Sequence, residues 1–325
     1  MKTTNIKKIA DLEKIKSEFI ESEKSYKFIA LICSGAGCIS SGCSAVKDAF
    51  IKELTEYKIA DKVKVKLTGC IGSCDVGPSL LLYPDETFYC NLKPKDMQVI
   101  VKRHLVKGIV VEDLCYFDKV KNKHITKFSE IDFFNSQQKN VLKNCGMIDV
   151  DTLDEYISRD GYLALAKVLQ SFTREKVIDE IKKSGLRGRG GGGFPTGIKW
   201  EAAYKEAGAE KYVICNADEG DPGAFMDRSL LEGDPHLIIE GMAIAGYAVG
   251  AQKGVVYVRA EYPLAVERLQ KAIEQARVVG LLGKKIFNSN FDFDIEIRIG
   301  AGAFVCGEET ALIASVEGRR GEPRQ

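Results

Sequence analysis

Residues 185–199 read GLRGRGGGGFPTGIK, with seven glycines, two arginines and one lysine in fifteen positions. The run follows a stretch of helical periodicity at 174–183, for which Thr173 suits the N-cap and Gly185 the C′ position. Glycine, lacking a Cβ, accepts positive φ and lets backbone N–H groups approach a ligand closely. Successive amides in such a loop form an anion-binding nest. Arg187, Arg189 and Lys199 add fixed positive charge. A flexible linker would be rich in Gly and Ser, without paired Arg and interleaved Phe and Pro. The run therefore reads as a phosphate cradle. It is neither a GxxxxGK[ST] loop nor a GxGxxG placed directly after a strand.

Downstream of the cradle, strands and helices alternate. YVICN (212–216) predicts a buried strand. Asp234-Pro235 opens a helix to about Val249, with Asp234 as N-cap and Pro235 at N1. GVVYVRA (254–260) is a second strand, and Pro263 starts a helix to about Val279. DFDIEIRIG (292–300) alternates as a third strand, followed by Gly302 and a helix from about Gly307. This spacing predicts a parallel sheet covered on both faces.

Ligands of open α/β sheets bind outside the carboxyl ends of the strands. Asn216-Ala217-Asp218-Glu219-Gly220-Asp221-Pro222-Gly223 follows the first strand at such a position. Its amide and carboxylates suit hydrogen bonds to ribityl hydroxyls or an isoalloxazine edge. The same residues also suit a solvent-facing acidic turn. Gly300-Ala301-Gly302-Ala303-Phe304-Val305-Cys306-Gly307-Glu308-Glu309-Thr310 repeats the arrangement after the third strand. Its small residues permit close approach to a flat ligand. Glu308 and Glu309 also read as helix-start carboxylates favoured by the dipole. Phe194 stacks on an aromatic ligand or belongs to the core. His104, His124 and His236 are isolated, and no Ser/His/Asp or Cys/His arrangement is visible.

Upstream of the cradle, helical patterns near 151–170 and 174–183 follow a polar, irregular stretch at 108–150 that reads as a linker with short elements. The N-terminal hundred residues have the order β-α-β-β-β-α. The strands are FIALI (28–32), VKVKL (63–67), SLLLY (79–83) and TFYCNL (87–92). The helices are 41–56 and Pro94 to about Val106, with Gly108 as stop. This order predicts a thioredoxin-like α/β module. Five of the ten cysteines lie between residues 33 and 74. Cys33-x4-Cys38 and Cys70-x3-Cys74 occupy loops just after strands, where neighbouring strand ends converge. Gly35, Gly37, Gly69 and Gly72 let backbone amides approach the sulfurs. Four thiolates suit zinc or an iron–sulfur cluster, and spacings wider than C-x2-C favour [2Fe–2S]. Cys43 falls within the helix and reads as a bystander. Cys90, Cys115, Cys145, Cys215 and Cys306 read as buried small hydrophobes.

Forty-seven Lys and Arg against 46 Asp and Glu leave a formal net charge of +1, which argues against nucleic acid or an anionic membrane as partner. MKTTNIKKIADLEKIKSEF is charged and amphipathic, unlike a signal peptide. The longest apolar stretch, 237–251, is short and carries Glu240, so no membrane insertion is expected. Ten cysteines without an export signal point to metal or redox chemistry in the cytoplasm.

Three segments together resemble one family: GLRGRGGGGFPTGIKW, CNADEGDPGAFMDRSLLEGDPHLIIEGMAIAGYAVGA and GAGAFVCGEETALIASVEGRRGEPR. It is the flavin-bearing, NADH-oxidising subunit of respiratory complex I and its soluble relatives. The cysteine module looks like the [2Fe–2S] extension of the relatives in NAD(P)-linked hydrogenases and formate dehydrogenases. Asp221, where many complex I sequences carry Glu, agrees with that branch. The resemblance implies residues 1–107 as a thioredoxin-like [2Fe–2S] domain, 108–150 as a linker, and 151–325 as an incomplete Rossmann-like FMN/NADH-binding domain.

By the same resemblance Gly188, Arg189, Gly190 and Lys199 line FMN. Asn216, Asp218, Glu219 and Asp221 serve the cofactor from the second loop, and Gly302, Gly307, Glu308 and Glu309 from the third. Glu309 lies near the nicotinamide as the catalytic candidate, and Phe194 stacks on the NAD(H) adenine. Cys33, Cys38, Cys70 and Cys74 are the metal ligands. Ala202 departs from an aromatic that completes the adenine sandwich, and Phe304 stands where Tyr is frequent. The family continues through further segments to a [4Fe–4S]-binding helical domain, so the chain is expected to be an N-terminal fragment. Implied partners are a small [2Fe–2S] subunit and a hydrogenase or formate dehydrogenase subunit. The implied activity is hydride transfer from NAD(P)H to FMN, then single electrons to iron–sulfur clusters. Its rivals are a non-catalytic electron-transfer or docking fragment with only the [2Fe–2S] cluster, and an assembly fragment with no cofactor.

Overall fold

The computed structural model describes residues 5–208 and 210–324. Residues 1–4 of the charged N-terminal pattern, Ala209 and Gln325 lie outside the described residues. The chain forms two compact units. One comprises Ser17–Glu155 with Glu232–Asp234, and the other comprises the chain up to Lys16, Tyr156–Leu231 and the chain from Pro235.

After α1 (Ile9–Glu23), the first of these units is built on β1 (Phe28–Cys33), the short α2 (Ala36–Ser40), α3 (Cys43–Glu56) and β2 (Val63–Thr68). The hairpin β3 (Leu80–Tyr83) and β4 (Thr87–Tyr89) follows, then α4 (Asp96–Ile100), which continues as a π-helical turn through Val101–Val106. The sheet order is β2-β1-β3-β4. β1 and β2 are parallel, with Cys33 opposite Thr68, and the other pairs are antiparallel. This is the thioredoxin-like arrangement expected from the element order.

Period-two alternation sends successive β1 residues to opposite faces. Ala30 and Ile32 pack with Val46, Phe50 and Leu54 of α3. Leu31 and Cys33 face the other way, with Leu81, Phe88, Ile125, Ile131 and Phe134. The 108–150 segment, read as a linker with short elements, packs on that second face. The segment carries β5 (Tyr116–Asp118), β6 (Lys123–Ile125) and α5 (Asp132–Asn135). Phe128 and Phe134 stack at 4.2 Å, and both meet Phe88 edge-on. An apolar sheet face cannot stay in water, and this polar-looking stretch supplies its cover.

The remaining elements are α6 (Leu153–Ser158), α7 (Leu163–Ser171), α8 (Arg174–Lys183), α9 (Thr196–Lys205), β7 (Tyr212–Ala217), α10 (Met226–Gly233) and α11 (Pro235–Val249). They continue as β8 (Lys253–Arg259), α12 (Pro263–Val278), β9 (Asp294–Gly300) and α13 (Glu309–Val316). The single helix expected near 151–170 is broken, because Asp160 and Tyr162 adopt left-handed φ of 66° and 62°. The buried Glu240 carboxylate restarts it, accepting from the N–H groups of Tyr162 at 2.8 Å and Leu165 at 3.1 Å. Thr173 caps α8 through the Lys176 N–H, and Gly185 takes φ 68° after it, as expected.

β7, β8 and β9 form a parallel sheet in that order. Central β8 is buried along most of its length. The expected burial of the whole sheet does not hold for the outer strands. Tyr212 and Ile214 of β7 are exposed, and Ile299 of β9 is 61% exposed. Each is an edge strand with one face open among the described residues. Among those residues no helix is long and apolar enough to cross a membrane.

Candidate functional site

The glycine run joins α8 to α9 as a closed-neck loop. The Gly188 N–H donates to the Phe194 carbonyl and the Thr196 N–H to the Leu186 carbonyl, each at 2.9 Å. Arg187 Nη1 reaches the Gly193 carbonyl at 3.0 Å. Gly191 and Gly193 have φ of 97° and 61°, conformations that L side chains rarely adopt. A Cβ built on Gly190, Gly191, Gly192 or Gly193 would meet nothing within 4 Å. The tip thus presents open backbone, with Arg189 exposed on it and Phe194 57% exposed beside it.

Two loops at the carboxyl end of the parallel sheet are laced together. Asn216 Nδ2 donates to the Gly307 carbonyl at 2.8 Å, and Asn216 Oδ1 accepts the Asp218 N–H at 3.1 Å. Phe304 packs on Gly220, where a Cβ would stand 2.6 Å from its ring. Lys199 of α9 donates to Glu309 Oε2 at 2.9 Å, tying the start of α9 to the third loop. Gly302 takes φ 81° against the Glu261 carboxylate. The candidate residues Lys199, Asn216, Asp218, Gly307 and Glu309 are therefore brought together, while Asp221 is exposed.

The acidic residues divide by what their oxygens do. Glu219 is spent on the protein itself: it accepts the Asp227 N–H at 3.1 Å, the Arg228 N–H at 3.3 Å and the Tyr262 hydroxyl at 3.3 Å. Glu308 caps α13, accepting from the Thr310 hydroxyl at 2.6 Å and the N–H groups of Thr310 and Ala311. That hydroxyl bond, first among its contacts, holds the Glu308 carboxyl below its ordinary range. Asp218 differs. It is 7% exposed, and neither carboxylate oxygen has a hydrogen-bond partner. Burial pushes its carboxyl up, against the pull of Arg259. Buried polar groups are nearly always satisfied, so an orphan carboxylate at a sheet's carboxyl end points to a donor-bearing ligand.

Arg259, at the end of β8, escaped the sequence reading. Its Nη1 donates to the Glu219 carbonyl and its Nη2 to Glu261 Oε1, so it clamps the second loop. Its Nε is buried without a partner. The available signal was an arginine ending an otherwise apolar strand. Open glycine amides, an orphan acceptor and an orphan donor fit a flat, phosphorylated ligand.

In the other unit the four thiols of the sequence reading converge at the ends of β1 and β2. Cys70 and Cys74 Sγ lie 3.8 Å apart, and the Gly72 N–H donates to Cys70 Sγ at 3.3 Å. Hydrogen bonding with Cys38 is the main reason the Cys33 thiol is pushed up to about 11. Hydrogen bonding with Cys33 likewise raises Cys70, aided by burial. The surrounding glycines leave no room for side chains. A Cβ on Gly35 would stand 2.9 Å from the Cys70 Cβ, one on Gly77 2.7 Å from Cys38 Sγ, and one on Gly37 3.3 Å from Cys74 Sγ. Among the described residues no three His, Cys, Asp or Glu side chains form a single-ion site. The four thiols instead form one chain of contacts, Cys38 to Cys33, Cys33 to Cys70 and Cys70 to Cys74, and four soft thiolates in one place suit a two-iron cluster. Cys43 is buried in the same apolar cluster as Cys33 and Cys38. All ten cysteines are free thiols.

The family described as the Nuo51 FMN-binding domain matches residues 181–325. The NADP-reducing hydrogenase subunit HndC of Solidesulfovibrio fructosivorans is 64% identical over 181 residues, which are 56% of this chain and 36% of that protein. The alpha subunit of the NAD-reducing hydrogenase HoxS of Cupriavidus necator is 36% identical over 322 residues, covering 94% of this chain and 49% of its own. A solved NAD+-reducing [NiFe]-hydrogenase in the H2-reduced state aligns over 97% of this chain and 52% of its own, at 24% identity and a TM-score of 0.48. The chain spans less than half the length of both curated relatives.

Proposed function

We infer, for a chain whose residues 181–325 belong to the Nuo51 FMN-binding domain family, that it is the NAD(P)H-oxidising flavoprotein portion of a multi-subunit redox complex. The observation that carries this is the orphan Asp218 carboxylate at the carboxyl end of the parallel sheet, in a unit that also offers the open glycine tip. FMN bound there would supply the exchange of hydride with a nicotinamide and the release of single electrons.

The chain's own residues then have distinct tasks. The Gly188–Gly193 amides and Arg189 hold the phosphate, and Asp218 accepts from the flavin or its ribityl chain. Asn216 keeps the second and third loops in register through Gly307. Glu219, Glu308 and Arg259 hold the loops rather than the ligand. Glu309, paired with Lys199, faces the nicotinamide, and Phe194 stacks on the adenine. Direct hydride transfer needs no general acid, which agrees with the lack of a histidine at the loops. In the unit Ser17–Glu155, Cys33, Cys38, Cys70 and Cys74 hold a [2Fe–2S] cluster that takes single electrons. Free thiols throughout suit the cytoplasm. Relatives named as subunits of NAD(P)-reducing hydrogenases support a hydrogenase-type complex.

The test is anaerobic reconstitution of the full chain with iron, sulfide and FMN, with visible spectra before and after NADH. Flavin absorbance that bleaches with NADH is the expected result. Cluster bands without flavin would overturn the dehydrogenase reading and leave an electron-transfer module.

A further inference from the structure

The unit that carries the four thiols includes three residues remote from them in sequence, Glu232–Asp234. They lie against both cysteine loops. Glu232 Oε2 accepts the Ala36 N–H at 3.1 Å, between Cys33 and Cys38. Gly233 is packed on Gly69, the residue before Cys70. A Cβ on Gly69 would stand only 2.3 Å from the Gly233 Cα. Asp234 Oδ2 accepts from Asn144 Nδ2 at 2.8 Å and anchors the segment. Glu232 is 2% exposed. A carboxylate at such a site is shielded little by water, so its field reaches neighbouring groups more strongly than a surface charge does.

Resting on the [2Fe–2S] reading above, we propose that Glu232 is a positioning residue that holds the reduction potential of the cluster low. Its hydrogen bond to Ala36 fixes the Cys33–Cys38 loop. Its negative charge opposes the single negative charge that reduction adds to the cluster. Burial charge and hydrogen bonding near the sulfurs are the protein's levers on such potentials. Glu232 touches neither nicotinamide nor flavin in this scheme, and its effect is read in the cluster alone.

The full 325-residue chain, reconstituted anaerobically with iron and sulfide, is titrated with dithionite while EPR follows the reduced cluster. Wild type, Glu232→Gln and Glu232→Asp are compared. Gln keeps an oxygen acceptor for Ala36 and removes the charge, whereas Asp keeps the charge. Glu232→Gln is expected to shift the reduction equilibrium about tenfold towards the reduced state, about 59 mV for one electron. Glu232→Asp is expected to stay within about threefold of wild type, on the order of a modest change in charge distance. An unchanged potential in Glu232→Gln would overturn the proposal, as would an equal rise in both variants, since loop disturbance alone would explain it. Loss of iron from Glu232→Gln with an unchanged far-UV circular dichroism spectrum also overturns it, because the retained acceptor should preserve the loop. A wild-type chain that takes up no iron or sulfide sinks the cluster reading itself, and is recognised before any variant is made.

Discussion

Asn216 Nδ2 lies 2.8 Å from the Gly307 carbonyl oxygen, and this bond fastens the carboxyl end of β7 to the loop after β9 across the intervening strand. The bond runs from the Asn216 side chain, near the end of β7, to a carbonyl outside the sheet, and is no part of the sheet ladder. It therefore sets the width of the ligand-facing cleft more than it sets the stability of the fold. Asn216 is exposed, and a bond of that kind contributes about 1 kcal/mol.

Replacing Asn216 by Ala should accordingly separate the two effects. FMN affinity of the reconstituted chain is expected to fall about fivefold, the equivalent of about 1 kcal/mol. The thermal midpoint without flavin should move by no more than about 2–4 °C. Fluorescence quenching of FMN measures the first and a circular dichroism melt the second. A fall in midpoint with unchanged affinity would make the bond purely structural.

Asp218 predicts a trade between stability and binding. Its buried carboxylate has no hydrogen-bond partner in the protein, and burial raises it against the pull of Arg259. Removing a charge whose burial outweighs its attraction to Arg259 relieves the unliganded fold, whereas a hydrogen bond to a charged group is worth about 1.5–3 kcal/mol to a ligand. Asp218→Asn should melt higher than wild type without flavin and bind FMN at least about tenfold more weakly. A variant that melts lower would show that the carboxylate is satisfied within the protein.

Much of this was legible in the sequence and some was not. Glycine runs and paired cysteines announce themselves, because their chemistry requires particular residues at short spacing. Thr173, Gly185 and Pro263 marked helix ends through interactions within four residues. Glu219 and Glu308 are harder. A carboxylate that caps a helix and one that grips a cofactor look alike until the N–H partners are located. The 108–150 segment concealed its role because Ile125, Ile131 and Phe134 are dispersed among polar residues with no single period. Gly233 against Gly69 and Arg259 against Glu219 join residues far apart in the chain, and no local pattern encodes them.

Asp227 makes the stability of its unit depend on pH. Burial, with the neighbouring Glu219 carboxylate, pushes its carboxyl up from 3.8 to about 6. The folded state therefore binds the proton more tightly than the unfolded chain. Stability from this group is greatest below about pH 4, falls as pH rises to about 6, and stays reduced at neutral pH. Asp227→Asn should remove that slope and raise the midpoint at pH 7 by several degrees, on the scale of about 2 kcal/mol. Melts at half-unit steps from pH 4 to pH 7 check the sign. A wild-type midpoint that rises across this window, with no difference in the variant, would refute it.

The four-thiol assignment is tested by contrast with the thiols that surround it. Cys33, Cys38, Cys70 and Cys74 converge, and glycines stand wherever a Cβ would intrude among them. Cys43 is equally buried and belongs to the same apolar cluster as Cys33 and Cys38, yet it opens α3 instead of a ligand loop. Cys145 Sγ approaches Gly233, where burial raises its thiol to about 12. Serine at any of the four should abolish the wild-type cluster spectrum or shift its charge-transfer bands, because oxygen is a harder ligand than thiolate. Cys43→Ser and Cys145→Ala should retain two irons and two sulfides per chain with the wild-type spectrum, while lowering the thermal midpoint through lost packing. Iron and sulfide analysis with visible spectra of the six variants measures this. Retention of an unaltered spectrum in any of the four, or its loss in Cys43→Ser with the fold intact, would reassign the ligand set.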